Sequence, residues 1–226
     1  KAFKALRPSV DLVSKVSSPP YDVINSKEAR AILDRNSYSF LQVIKPEITV
    51  SQDDRLTNSQ LAKRAAENLQ KLLQQKVFKE EKEEYLYIYQ QSDGISKRVG
   101  LVACLAVDDY LKGIIKKHEN INIKPFRERE EHIKHTGAHT GCVLVFYNSN
   151  QHIDGLLNQE MNSKNEIYNF KSDDGIATIC WRIKEKKVIF SLVNAFRDIE
   201  SLYIADGHHR AAAAARVGQS LKSQRA

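Results

Sequence analysis

The apolar and polar positions along the chain follow two periods in short alternating stretches. Leu61, Ala65, Leu69, Leu72 and Leu73 recur at helical spacing and predict an amphipathic helix over about 59–75. Ser26 stands before Lys-Glu-Ala-Arg-Ala-Ile-Leu and reads as the N-cap of a helix reaching about residue 35. Residues 85–91 alternate, and Ser92-Asp93-Gly94 turns them into a second strand over about 97–107, a predicted hairpin. Residues 40–44 read as a strand ending at Pro46, 142–147 as a buried strand, and 201–205 as a last short strand. Residues 177–182 and 187–192 form a further predicted hairpin across Lys184-Glu185-Lys186. A helix is expected over about 127–134, and the alanine-rich run 211–217 favours helix strongly. Residues 1–25 are loop-rich, with Pro8, Pro19 and Pro20 enforcing extended backbone.

Helices and hairpins follow one another without a βαβ rhythm, which predicts an α+β fold, a mixed sheet with flanking helices. Residues 1–226 are read as a single domain of this class, with a finer division into an N-terminal subdomain, 1–112, and a second part, 113–226. The chain starts without methionine and stops soon after its strongest motif, so it reads as a fragment of a longer protein.

Composition refines this picture. Apolar residues make up 42% and charged residues 28%, ordinary for a folded soluble protein. No run approaches the roughly 18 apolar residues of a membrane span, and no signal-peptide pattern opens the chain. Cys104, Cys142 and Cys180 each sit in an apolar run, which predicts reduced core cysteines and a cytoplasmic location. The net charge of +7 is spread among acidic residues; even the cluster 127–134 carries Glu128, Glu130 and Glu131. Nucleic acid is therefore not the expected partner, whereas anionic small molecules are.

The strongest chemical signal is Asp206-Gly207-His208-His209-Arg210, between an apolar strand and an alanine-rich helix. Gly207 permits positive φ and close approach of a ligand to the backbone. The free N–H groups and dipole of the helix start favour an anion, and Arg210 offers phosphate a charged fork. The competing reading is an Asp N-cap followed by surface histidines. Zinc is disfavoured, because adjacent histidines need a third ligand.

Tyr203-Ile-Ala-Asp-Gly-His-His-Arg210 resembles the signature of a widespread prokaryotic family of unassigned function, a domain-of-unknown-function family often found beside serine-biosynthesis genes. The resemblance extends to Ala5-Leu-Arg-Pro8, Pro19-Pro-Tyr-Asp-Val-Ile24, residues 40–47 and Lys117-His-Glu119. More distantly, the turn is similar to the phosphate-binding turn of the ParB N-terminal, sulfiredoxin and free-serine-kinase superfamily. That likeness implies a ParB/sulfiredoxin-like core, within 113–226, and a nucleotide or phosphorylated ligand. It implies no particular reaction.

In that light Lys117, His118 and Glu119 are candidate catalytic residues: a carboxylate can act as general base while lysine or histidine stabilises phosphoryl charge. A solvated charged loop is the alternative. The family's arginine ten residues beyond His-Glu falls on Arg129, preceded by Glu128; its threonine is replaced by Ile121. His132, His135 and His139 recur at three and four residues, but Gly137 interrupts them, and no metal site is expected. Arg7 recurs in the family signature and is a candidate anion contact. Pro19-Pro20-Tyr21 would hold Asp22 rigidly, toward a ligand, toward magnesium, or simply to close the turn. The expected function is binding of a phosphorylated small molecule or nucleotide, with phosphoryl transfer or hydrolysis on a small hydroxylated, serine-related metabolite. Magnesium would accompany a nucleotide. The rival expectation is a nucleotide-binding switch or DNA-associated module of the ParB type; a sulfiredoxin-like reductase would need a cysteine that this turn lacks.

Overall fold

A computed structural model of the chain describes residues 1–51, 53–163, 166–172 and 174–224. The first half contains β1 (Leu6–Pro8), α1 (Val13–Val16), α2 (Ser26–Arg35), α3 (Leu41–Ile44), α4 (Asn58–Gln74), β2 (Phe78–Glu80), β3 (Leu86–Ser92), β4 (Lys97–Val102) and α5 (Val107–Leu111). There follow β5 (Ile115–Lys116), α6 (Ile123–Thr136), β6 (Leu144–Phe146), α7 (Gln151–Asn162), β7 (Glu166–Lys171), β8 (Ala177–Ile183), α8 (Lys186–Arg197), β9 (Leu202–Asp206) and α9 (His208–Ser223). The fold is mixed α and β. Its strands form three sheets among the described residues, so the expected mixed sheet is divided.

Two compact units interleave along the sequence. The first comprises Lys1–Ser14, Phe78–Ala106 and Tyr147–Glu200. Its four-stranded sheet, in the order β4-β3-β8-β7, is antiparallel throughout. One face places Leu86, Ile88, Trp181 and Ile183 against Ile153 of α7 and Leu192 of α8. The opposite face buries Tyr87, Tyr168 and Cys180 with Ala5. Glu81 binds both Arg7, at 2.6 Å, and Arg182, at 2.5 Å. Burial pushes the Glu81 carboxyl up, but the two guanidinium groups more than offset it and hold the group below its ordinary value.

The second unit comprises Lys15–Val77, Val107–Phe146 and Ser201–Ala226. Its three-stranded sheet places β9 centrally, parallel to β5 and antiparallel to β6. Helix α4 starts at a capping box in which Thr57 and Gln60 satisfy each other's backbone N–H groups. It packs on α6, which packs in turn on α9. The buried faces of α9 are Ala212, Ala213 and Ala215, small enough for close helix approach. At Gly218 a Cβ would lie 2.8 Å from Val107, so α5 can approach only a glycine there.

Residues 40–44 were expected as a strand; they form helix α3, buried on several sides at Leu41, Gln42 and Val43, and so carry no readable period. Residues 187–192 belong to helix α8, not a hairpin strand. The apolar spacing Val188, Ile189, Leu192, Ala195, Phe196 becomes helical only over the longer window. The strand expected over 97–107 ends at Val102, and α5 occupies Val107–Leu111. Strand β6 is short and not buried: Leu144 and Phe146 are exposed. The helix expected over 127–134 runs from Ile123 to Thr136, and the cap of α2 is Asn25, not Ser26. Cys104 and Cys142 are exposed; only Cys180 is a core cysteine.

Candidate functional site

All candidate residues except Arg7 lie in the second unit. Strand β9 runs out at Asp206, and Gly207, at φ 91°, reverses the chain into α9. No side chain caps this helix start. The donors of its first turn therefore stay with solvent or ligand.

Arg210 does not extend away from the turn. It folds back over Gly207, pairs with the Asp206 carboxylate through Nη2, and donates from Nη1 to the Cys142 carbonyl at 2.5 Å. A Cβ on Gly207 would lie 2.9 Å from Arg210 Nε, so the glycine serves both the backbone angle and this approach. The two histidines diverge. His208 is only 3% exposed, whereas His209 reaches across to accept a hydrogen bond from the Asn122 N–H at 3.1 Å. Asn122 is the N-cap of α6, so His209 ties the starts of two helices together.

The Lys117-His118-Glu119 segment follows β5 and meets the turn. Glu119 Oε2 lies 3.2 Å from His208 Nδ1, and the His118 ring stands edge-on to the His208 ring at 4.4 Å. His208 Nε2 is buried with no hydrogen-bond partner. Lys117 sits over the Tyr110 ring at 4.6 Å. A shallow cavity of about 410 Å³ is lined by Lys117, His118, Glu119, Asn120 and Ile121. The structure thus brings Lys117, His118, Glu119, Asp206, Gly207, His208, His209 and Arg210 into one neighbourhood.

Asp22 and Arg129 line a separate cavity of about 420 Å³ in the same unit, with Tyr21, Lys45, Glu47 and Glu128. Arg129 stacks over Tyr21 at 4.5 Å, and Lys45 Nζ is 3.2 Å from Glu47. His132 also lines it; its Nε2 is 2.9 Å from Thr140 Oγ1. Burial, and then the charges of Arg129 and His135, pull the His132 imidazole down to about 4. His135 turns instead to the Glu131 carbonyl, and among the described residues no group of three His, Cys, Asp or Glu side chains is arranged to hold a metal.

Arg7 belongs to the first unit. There Glu81 and the Tyr168 hydroxyl, at 3.2 Å, take its guanidinium. Sequence reasoning missed the Cys142 carbonyl, Tyr110 and Tyr21 as partners of the cationic residues. The Cys142 and Tyr21 contacts join segments distant in sequence, and the Tyr110 contact spans the turn from α5 into β5, so no helical or strand period marks any of them.

Among the described residues no helix is long and apolar enough to cross a membrane. No curated protein and no solved structure matches the chain. A family model does match, over residues 1–226, and the chain belongs to the family described as Protein of unknown function (DUF1015).

Proposed function

We propose that the turn from Asp206 to Arg210 binds the phosphate of a phosphorylated small molecule or nucleotide, and that the adjoining Lys117-His118-Glu119 segment works on that group. The observation that carries this reading is the uncapped start of α9, at a positive-φ glycine, with the Arg210 guanidinium folded over it. Helix-start donors and the dipole favour an anion there. Asp206 and the Cys142 carbonyl hold the Arg210 guanidinium over the turn, where its remaining N–H groups are donors for an oxyanion. The likeness of the turn to the ParB, sulfiredoxin and free-serine-kinase superfamily points the same way.

In phosphoryl transfer or hydrolysis on a small hydroxylated metabolite, Glu119 is the base, and Lys117 and His118 stabilise phosphoryl charge. Magnesium would accompany a nucleotide donor.

A second reading, a nucleotide-binding module without turnover, draws on one observation. Glu119 is engaged by His208 and Lys117 by Tyr110, so two of the catalytic candidates already have protein partners. Thermal-shift titration with adenine and cytosine nucleotides, phosphoserine and inorganic phosphate, with and without magnesium, tests the binding. Phosphorylated ligands should raise the midpoint, and Arg210→Ala should remove the response; no shift with any of them sinks the proposal. Turnover lost in Glu119→Gln supports the enzyme, and binding without turnover supports the module.

A further inference from the structure

Two segments that the phosphate site leaves unused, Pro19–Ile24 and residues 40–47, converge with α6 on the second cavity. Its charges do not cancel. Lys45 is paired with Glu47, and burial keeps His132 neutral near pH 7. That leaves Asp22 and Glu128, which have no ion-pair partner among the described residues, facing a cavity that also holds Arg129. Arg129 is stacked on Tyr21 and has no carboxylate partner among the described residues. Two open carboxylates repel a phosphate dianion, and the guanidinium repels a simple cation. A small molecule carrying both an ammonium and a carboxylate satisfies both sets of groups. The volume of about 420 Å³ lies at the small end of the range for ligand sites, suiting a single metabolite of modest size. Ile24, Ile44 and Leu61 supply an apolar wall.

We infer that this cavity is a binding site for a free amino acid, its ammonium facing Asp22 and Glu128 and its carboxylate facing Arg129. The inference does not depend on the phosphate reading. Residues 128–132 lie roughly 10–15 Å along α6 from the cap that His209 holds, by the rise of a helix.

Titration calorimetry with the proteinogenic L-amino acids tests it, each compared with its decarboxylated amine and its N-acetyl derivative. At least one amino acid is expected to bind, and removing either charged group should weaken binding roughly tenfold or more. Asp22→Asn and Glu128→Gln should weaken it similarly while leaving the melting curve in place; Arg129→Lys should retain part of the affinity that Arg129→Met loses. Arg210→Ala should leave amino-acid binding intact, which separates failure here from failure of the phosphate site. Silence with every amino acid, equal binding of the N-acetyl derivatives, or unchanged binding in Asp22→Asn and Glu128→Gln would overturn the assignment.

Discussion

Glu119 Oε2 stands 3.2 Å from His208 Nδ1, joining the loop after β5 to the first residue of α9. A carboxylate at that nitrogen selects the Nδ1–H form of a neutral imidazole and leaves Nε2 as the bare acceptor. Long-range nitrogen–proton NMR of the histidine rings should report a protonated-type Nδ1 and an unprotonated-type Nε2 for His208. Glu119→Gln should shift that balance toward the other tautomer. An Nε2–H form in the wild type would refute the pairing.

Gly207 combines a φ of 91° with Arg210 Nε 2.9 Å from where a Cβ would stand. Gly207→Ala should therefore cost about 1–3 kcal/mol, read as a lower melting temperature. Adding Arg210→Ala should recover the steric part of the loss and leave the backbone part. Wild-type stability in Gly207→Ala would show that neither constraint operates.

His132 is folded with its imidazole near 4, below an unfolded value of 6.5. A depressed folded value means that the neutral ring favours the fold. Its contribution is present above about pH 6.5 and is lost as pH falls through about 4, on the order of 3 kcal/mol in all. Urea unfolding between those limits should show a steeper acid loss in the wild type than in His132→Gln. Equal slopes would mean that His132 is not the group titrating.

The three cysteines should separate by accessibility. Cys180 is buried, its thiol pushed up to about 12 by burial, and Cys104 and Cys142 are exposed. A thiol reagent should label Cys104 and Cys142 in the native protein and reach Cys180 only on unfolding. Rapid native labelling of Cys180, tracked by peptide mass, would contradict the placement.

The sequence-level errors share a cause. Residues 40–44 and 187–192 are short apolar runs, and such a run has the same appearance in a buried helix as in a strand. In α8 the helical period needs residues beyond 192, through Phe196, to become visible. Cys104 and Cys142 lie in apolar runs yet are exposed, since burial depends on which face of a run another element covers.

The elements with long, regular patterns were legible from residue order: the stripe of α4, the hairpin of β3 and β4, and the strand, glycine turn and helix around residue 207. These follow from local rules of periodicity, capping and backbone angle, which act within a few residues. Where the charges went was set by long-range packing. It turned Arg210 back onto Asp206 and the Cys142 carbonyl, gave Arg7 to Glu81, set Glu119 against His208, and gathered Asp22, Lys45 and Arg129 around one cavity. Apart from Asp206, four residues before Arg210, those partners are remote in sequence, and the pairing of flexible charged side chains is set by packing of the elements that carry them.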